Sequence, residues 1–112
     1  MSDYHSVLKK LIKFRDERNW SRFHHSKDLA LALSIEAAEL NELFLWKTDT
    51  EAEQVDQLRL KEELADVLAY AFYLAEKHQL DIFEIMEEKI VQNAQKYPID
   101  KSKDTARKYT EL

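Results

Sequence analysis

The chain contains no cysteine, no glycine and a single proline, Pro98. A chain of 112 residues at average usage would carry roughly eight glycines. Without glycine there is no P-loop and no Rossmann turn, because both need backbone that approaches phosphate with no Cβ in the way. Without cysteine there are no disulfides, no thiolate zinc sites and no thiol nucleophiles, and the usual clue to redox compartment is missing. Long apolar runs are missing too. The longest is Val67 to Ala75, nine residues, where a membrane span needs about 20. There is no excess of positive charge: 17 Lys+Arg stand against 22 Asp+Glu, a net of −5, which argues against a general nucleic-acid binder. The N-terminus carries Asp3 and scattered lysines rather than a basic stretch leading into an apolar one. No secretory signal is therefore expected, and cytoplasmic residence is.

What is present is 45% hydrophobic and 35% charged, too apolar for a disordered chain and sufficient for one modest core. With so little turn chemistry a β protein is disfavoured, and helical periodicity dominates. A first helix is expected over about Ser2 to Asn19, with Val7, Leu8, Leu11, Ile12 and Phe14 inward. A polar and aromatic link, Trp20 to His25, follows. A second helix starts near Ser26, a good N-cap, and runs to about Trp46. The acidic segment Lys47 to Gln57 reads as a loop. A third helix covers about Leu58 to His78. A fourth begins at Asp81, with Glu84 completing a capping-box-like pair, and ends at Pro98, which pushes Tyr97 toward an extended conformation. The expectation is an all-α, four-helix bundle-like domain over residues 1–98, whose second and third helices pack antiparallel, and a polar, loosely attached tail over 99–112.

Acidic residues on a helix normally form a solvated face, but here position matters more than number. The apolar stripe Leu29, Leu33, Leu40, Leu43 has steps that call for an apolar residue at 36, where Glu36 stands. The neighbouring stripe Ala32, Ile35, Leu43, Trp46 is interrupted by Glu39. A buried carboxylate without a partner costs several kcal/mol or takes up a proton, so something must compensate the pair. On the third helix Glu63 and Asp66 share a face one turn apart. If the two helices are antiparallel, four carboxylates converge. A four-carboxylate, cysteine-free site is a hard oxygen site and favours Mg²⁺, with Mn²⁺ as substitute, over Zn²⁺ or Cu²⁺. Leaving these four out of the acidic count gives 17 − 18 = −1, so a divalent cation would neutralise much of the acidity. A di-iron bundle needs Glu-x-x-His on two helices; this chain has Glu-x-x-Glu and Glu-x-x-Asp instead. The plain alternative is a solvated acidic face, since Glu39 with Glu42 and Glu84 with Glu87 show the same spacing.

The order "EAAE" (Glu36 to Glu39), 23 residues, "ELAD" (Glu63 to Asp66) resembles the MazG-type all-α nucleoside triphosphate pyrophosphohydrolases. "FRDERNW" ending at Trp20, "FHHSKDLALAL" from Phe23, "ELFLWKTD" around Trp46, "EELADVLAY" ending at Tyr70, "NAQKYP" from Asn93 and "ARKYTEL" at the C-terminus are similar to the dCTP pyrophosphatase branch. The likeness covers roughly Leu11 to Leu112.

The resemblance implies hydrolysis of a nucleoside triphosphate, with a deoxynucleotide preferred, to the monophosphate and pyrophosphate. It implies Mg²⁺ held by Glu36, Glu39, Glu63 and Asp66, which are thereby the catalytic set. It implies that Trp20 and Trp46 enclose the base, that Tyr70 lies near the sugar, that His24 supports the pocket, and that Asn93, Lys96 and Tyr97 lie near the triphosphate. Ser26 replaces the proline of the family's "FHxP", and Leu11 is apolar where vertebrate members carry a polar ring, which loosens the expectation of strict cytosine preference. The family assembles as homodimers or homotetramers with sites at subunit contacts; no nucleic-acid or membrane partner is implied. Two other readings stay open at this level: a non-catalytic helical interaction module whose carboxylates salt-bridge a basic partner, and a nucleotide sensor that hydrolyses slowly.

Overall fold

The computed structural model describes residues 3–112, so the expected helix start at Ser2 lies outside the described residues. The fold is all-α, with no strand among the described residues. In order, it comprises α1 (Tyr4–Glu17), a 3-10 turn (Ser21–Phe23), α2 (Ser26–Glu42), α3 (Asp49–Ala52), α4 (Gln57–Lys77), α5 (Ile82–Lys96), α6 (Ile99–Ser102) and a 3-10 turn (Tyr109–Glu111). No helix of the described residues is long and apolar enough to cross a membrane. The chain divides into two compact units, one ending at Gln79 and one running from Leu80 to Leu112.

In the first unit, α1 opens on Asp3, whose side chain accepts from the Ser6 amide at 2.8 Å. The helix is shorter than expected because Asn19 turns left-handed (φ 53°) and ends it. The antiparallel pairing of α2 with α4 follows from three contacts along their length. Ser26, at the start of α2, bonds His78 at the end of α4 (Oγ to Nε2, 2.8 Å). Glu36 and Glu39 meet Glu63 midway. Glu42 and Leu43 line a small cavity with Asp56 and Arg59 at the far end. Ser26 is thus not the N-cap of α2. His25 takes that position, with no side-chain cap bond, and the serine hydroxyl ties the two helices together. Leu29, at 2% exposure, and Leu43 are buried.

Helix α1 packs against α4, and three of its contacts fall on the C-terminal part of α4. The contacts are Tyr4 on Phe72 (ring centroids 5.4 Å), the Tyr73 hydroxyl donating to the Leu11 carbonyl (2.9 Å) and Arg15 paired with Glu76 (3.1 Å).

Two expectations are corrected here. Helix α2 ends at Glu42, not Trp46; the chain turns through Leu43 to Trp46, and Trp46 itself is left-handed (φ 63°). The segment expected as a loop holds α3, which starts in a capping box: Thr48 Oγ1 accepts from the Glu51 amide (3.2 Å) while Glu51 accepts from the Thr48 amide (3.0 Å). With no glycine available, Asn19, Trp46, Gln79 and Asp104 occupy the four left-handed positions of the described residues.

In the second unit, α5 starts at Asp81, whose carboxylate accepts from the Glu84 amide (3.1 Å), and ends at Lys96, with Tyr97 as C-cap before Pro98. Residues 99–112, expected as a loose tail, contain α6 and the second 3-10 turn, and fold back so that Tyr109 rests edge-on against Tyr97 (5.9 Å).

Candidate active site

Glu36 and Glu39 sit three residues apart on α2 and so point from one face, toward Glu63 on α4. One carboxylate oxygen from each lies within 4.8 Å of the other two. Glu36 and Glu63 are half-buried and Glu39 is exposed. Glu36 Oε2 and Glu63 Oε2 are buried with no hydrogen-bond partner, a costly state for a charged oxygen. The strain shows in the titration of the pair. The Glu36 carboxyl is pushed up to about 7 by its contact with the Glu39 carboxyl, by burial and by the negative charges of Glu39, Asp66 and Glu63. Glu63 is raised as well, chiefly by burial and then by Glu39 and Asp66, with Arg59 one turn away opposing. A group of carboxylates that resists full ionisation is what a hard divalent cation relieves, so the residues present fit Mg²⁺ or Mn²⁺. Asp66 is exposed and stands at the rim: it repels Glu36 and Glu63 but is not one of the three clustered carboxylates.

Asp66 also belongs to a second feature. A cavity of about 560 Å³ between α1 and α4 is lined by Leu11, Phe14, Trp20, His24, Tyr70 and Tyr73, with Asp66 on its wall. That volume is in the range of small-molecule pockets, roughly 300–1,000 Å³. Tyr70 is one turn beyond Asp66 and Tyr73 one turn further, so a single face of α4 carries carboxylate and then phenol rings. Trp20 is braced by Phe14 (5.7 Å, edge-on). His24 lies against Tyr73 (4.9 Å), with Nδ1 buried and unpartnered. Burial, then Arg15 and Lys77, lower the His24 pKa, so the ring is neutral at pH 7. Burial and the charges of Glu36, Asp66 and Glu39 raise the Tyr70 pKa, so its phenol keeps its proton. The arrangement is an aromatic cavity with Asp66 on its wall, and Asp66 in turn acts on the carboxylate cluster, suited to a ligand with a flat end and a metal-chelating anionic end.

The structure does not bring every expected residue together. Trp46 is 93% exposed and does not line the Trp20 cavity. The second helix, expected to run to Trp46, stops at Glu42. Asn93, Lys96 and Tyr97 lie at the end of α5 in the second unit. Phe14 and Tyr73 were not singled out from sequence, though Tyr73 falls seven residues after Asp66 and so on its face.

A family model described as the MazG-like family matches residues 31–112. Among curated proteins, dCTP pyrophosphatase 1 of Mus musculus is 41% identical over 105 residues, covering 89% of this chain and 62% of that one. The Homo sapiens dCTP pyrophosphatase 1 is 40% identical over the same shares. This chain thus spans 62% of the length of those relatives. A crystal structure of a pyrophosphatase from Archaeoglobus fulgidus superposes with a TM-score of 0.81 at 36% identity, over 88% of this chain and 96% of that chain.

Proposed function

The chain belongs to the MazG-like family, and from that premise we propose that it is an Mg²⁺-dependent nucleoside triphosphate pyrophosphohydrolase. It cleaves (deoxy)nucleoside triphosphates, dCTP or related dNTPs foremost, to the monophosphate and pyrophosphate, as housecleaning of a cytoplasmic nucleotide pool. The observation that carries the reading is the joint presence of three crowded carboxylates, two with buried unpaired oxygens, and an aromatic cavity that begins at Asp66.

In this account Glu36, Glu39 and Glu63 would hold the cation, and Asp66 stands on the cavity wall. When bound, Mg²⁺ supplies charge neutralisation of the triphosphate and Lewis acidity toward phosphate oxygen and water. The chain's own residues do the rest. Trp20, braced by Phe14, stacks the base. His24, neutral, supports the cavity wall and lies against Tyr73. Tyr70, kept protonated, packs beside the sugar. Asn93, Lys96 and Tyr97 are assigned to phosphate oxygens of the substrate. An apolar Leu11 on the cavity wall gives no hydrogen bond by which to insist on cytosine.

We further assign a homodimer or homotetramer. Only Tyr4, Leu29, Leu43, Tyr73, Ala75 and Ile82 are buried apolar residues among those described, too few to offset the ordering entropy of such a chain. Leu31 and Ile35 on α2 and Leu64 and Leu68 on α4 are exposed, an apolar surface fitted to a second copy of the same pair.

The test is a panel of all canonical dNTPs and NTPs with Mg²⁺, the products resolved. Monophosphate plus pyrophosphate, fastest with pyrimidine deoxynucleotides, is expected. Diphosphate plus phosphate, or no turnover with binding retained, overturns the reading and leaves a phosphatase or a sensor.

A further inference from the structure

Lys96 is the last residue of α5. A lysine there has a flexible four-carbon stem and an attractive alternative to any ligand, the negative end of its own helix. The structure gives its ammonium a different seat. Lys96 Nζ stands 4.9 Å from the centroid of the Tyr109 ring, inside the ~6 Å reach of a cation–π contact.

Tyr109 is thirteen residues further along and is brought back by identifiable devices. Asp104 turns left-handed (φ 66°), and Thr105 Oγ1 accepts from the Arg107 amide (3.3 Å). The Glu111 amide closes the 3-10 turn on the Lys108 carbonyl (2.8 Å). The ring is then fixed edge-on against Tyr97 (83° between planes, 5.9 Å), which is itself held by Pro98 after it and by its amide bond to the Asn93 carbonyl (2.8 Å). Asn93, Lys96, Tyr97 and Tyr109 are thus one assembly within the second unit.

We infer that Tyr109 is a positioning residue for phosphate binding, whose ring holds the Lys96 ammonium extended and ready for an anionic group. This rests on the assignment of Lys96 to the substrate phosphates made above. A π face attracts the ammonium without consuming its three N–H donors as carbonyls would, so the donors stay available for phosphate oxygens. In a chain of net charge −5, a pre-placed cation matters for admitting a triphosphate. The folded-back tail then contributes to substrate binding without touching substrate.

The experiment is steady-state kinetics of the full chain with its Mg²⁺–dNTP substrate for Tyr109→Leu, Tyr109→Phe, Lys96→Ala and the double variant Tyr109→Leu/Lys96→Ala. Tyr109→Leu raises KM about two- to five-fold with kcat unchanged, the scale of an exposed cation–π contact. Tyr109→Phe, which keeps the ring, behaves as the parent. The double variant matches Lys96→Ala alone. NMR adds a reading independent of activity: the Lys96 ε-methylene protons are shifted upfield by the ring in the parent and in Tyr109→Phe, and not in Tyr109→Leu. An unchanged KM in Tyr109→Leu beside a raised one in Lys96→Ala, additive effects in the double variant, or no upfield shift in the parent overturns the role of Tyr109 alone. An unchanged KM in Lys96→Ala instead defeats the phosphate role of Lys96, and the inference falls with it.

Discussion

Glu36 on α2 and Glu63 on α4 face one another across the helix pair, each with a carboxylate oxygen buried and without a hydrogen-bond partner. Neither can be fully ionised at ease. Glu39 sits against both, and its charge and theirs raise the protonation of Glu36 and Glu63 together. Helix packing has placed repulsion in the middle of the protein's main interface, and the consequences are measurable.

The first concerns pH. Glu36 binds its proton more tightly in the folded chain, with a pKa of about 7 against a usual 4.5. Between these values the folded state carries more protons than the unfolded one, so stability falls as pH rises. Glu63 is raised too and acts in the same sense. Without divalent cation, the thermal midpoint is expected to drop between pH 5 and pH 7, and Mg²⁺ at pH 7.5 to restore it. Glu36→Gln removes the charge and flattens that slope. Differential scanning fluorimetry in EDTA and in Mg²⁺ checks this; a midpoint that rises steadily from pH 5 to 7.5 without metal would contradict it.

The second concerns the aromatic cavity. Trp20→Ala takes away the proposed stacking surface while leaving the carboxylates in place. Base–aromatic stacking is worth about 1–3 kcal/mol, so KM for the preferred dNTP rises about five-fold to 150-fold, with a smaller change in kcat. Trp46→Ala is the informative companion. Trp46 is outside this cavity within one chain, so any equal loss on its removal would have to come from a second copy. Running both variants across protein concentration separates the two sources.

The third concerns the missing glycines. Gln79 follows the end of α4 with φ 56°, a conformation that costs a residue with a Cβ about 1–2 kcal/mol. Gln79→Gly relieves this but adds backbone freedom to the unfolded chain. The net expectation is a gain of about 0.5 kcal/mol or slightly more, read as a thermal midpoint a few degrees higher. Gln79→Ala gives no such gain.

How much of this could be read from the residues varies with the kind of signal. The helices were legible because Leu29, Leu33 and Leu40 repeat at helical spacing, and Glu36 was visible as the residue that breaks the repeat. The end of α2 was not, because a tryptophan in a left-handed turn leaves no mark in sequence: Trp46 looks like one more step of the stripe. α3 was hidden differently. Thr48 and Glu51 are a legible capping pair, but no apolar run follows them to suggest that a helix is being capped. The fold-back of 99–112 rests on Tyr97 and Tyr109, twelve residues apart, and long-range ring contacts have no periodicity to betray them. Asp66 matched the expected spacing, yet what spacing could not say is that it stands at the rim, beside both the cluster and the cavity.

The most direct test of the account is calorimetric titration of Mg²⁺, with Mn²⁺ as a second probe, into the chain and into Glu36→Gln and Glu63→Gln variants whose helicity is confirmed by circular dichroism. The account predicts saturable binding to the parent that strengthens from pH 6 to pH 8 as the cation displaces the proton of Glu36. It predicts binding weakened by at least about tenfold in both variants, the lower end of what disturbing a metal site costs. Equal binding in parent and variants, or affinity that does not change with pH, would contradict it.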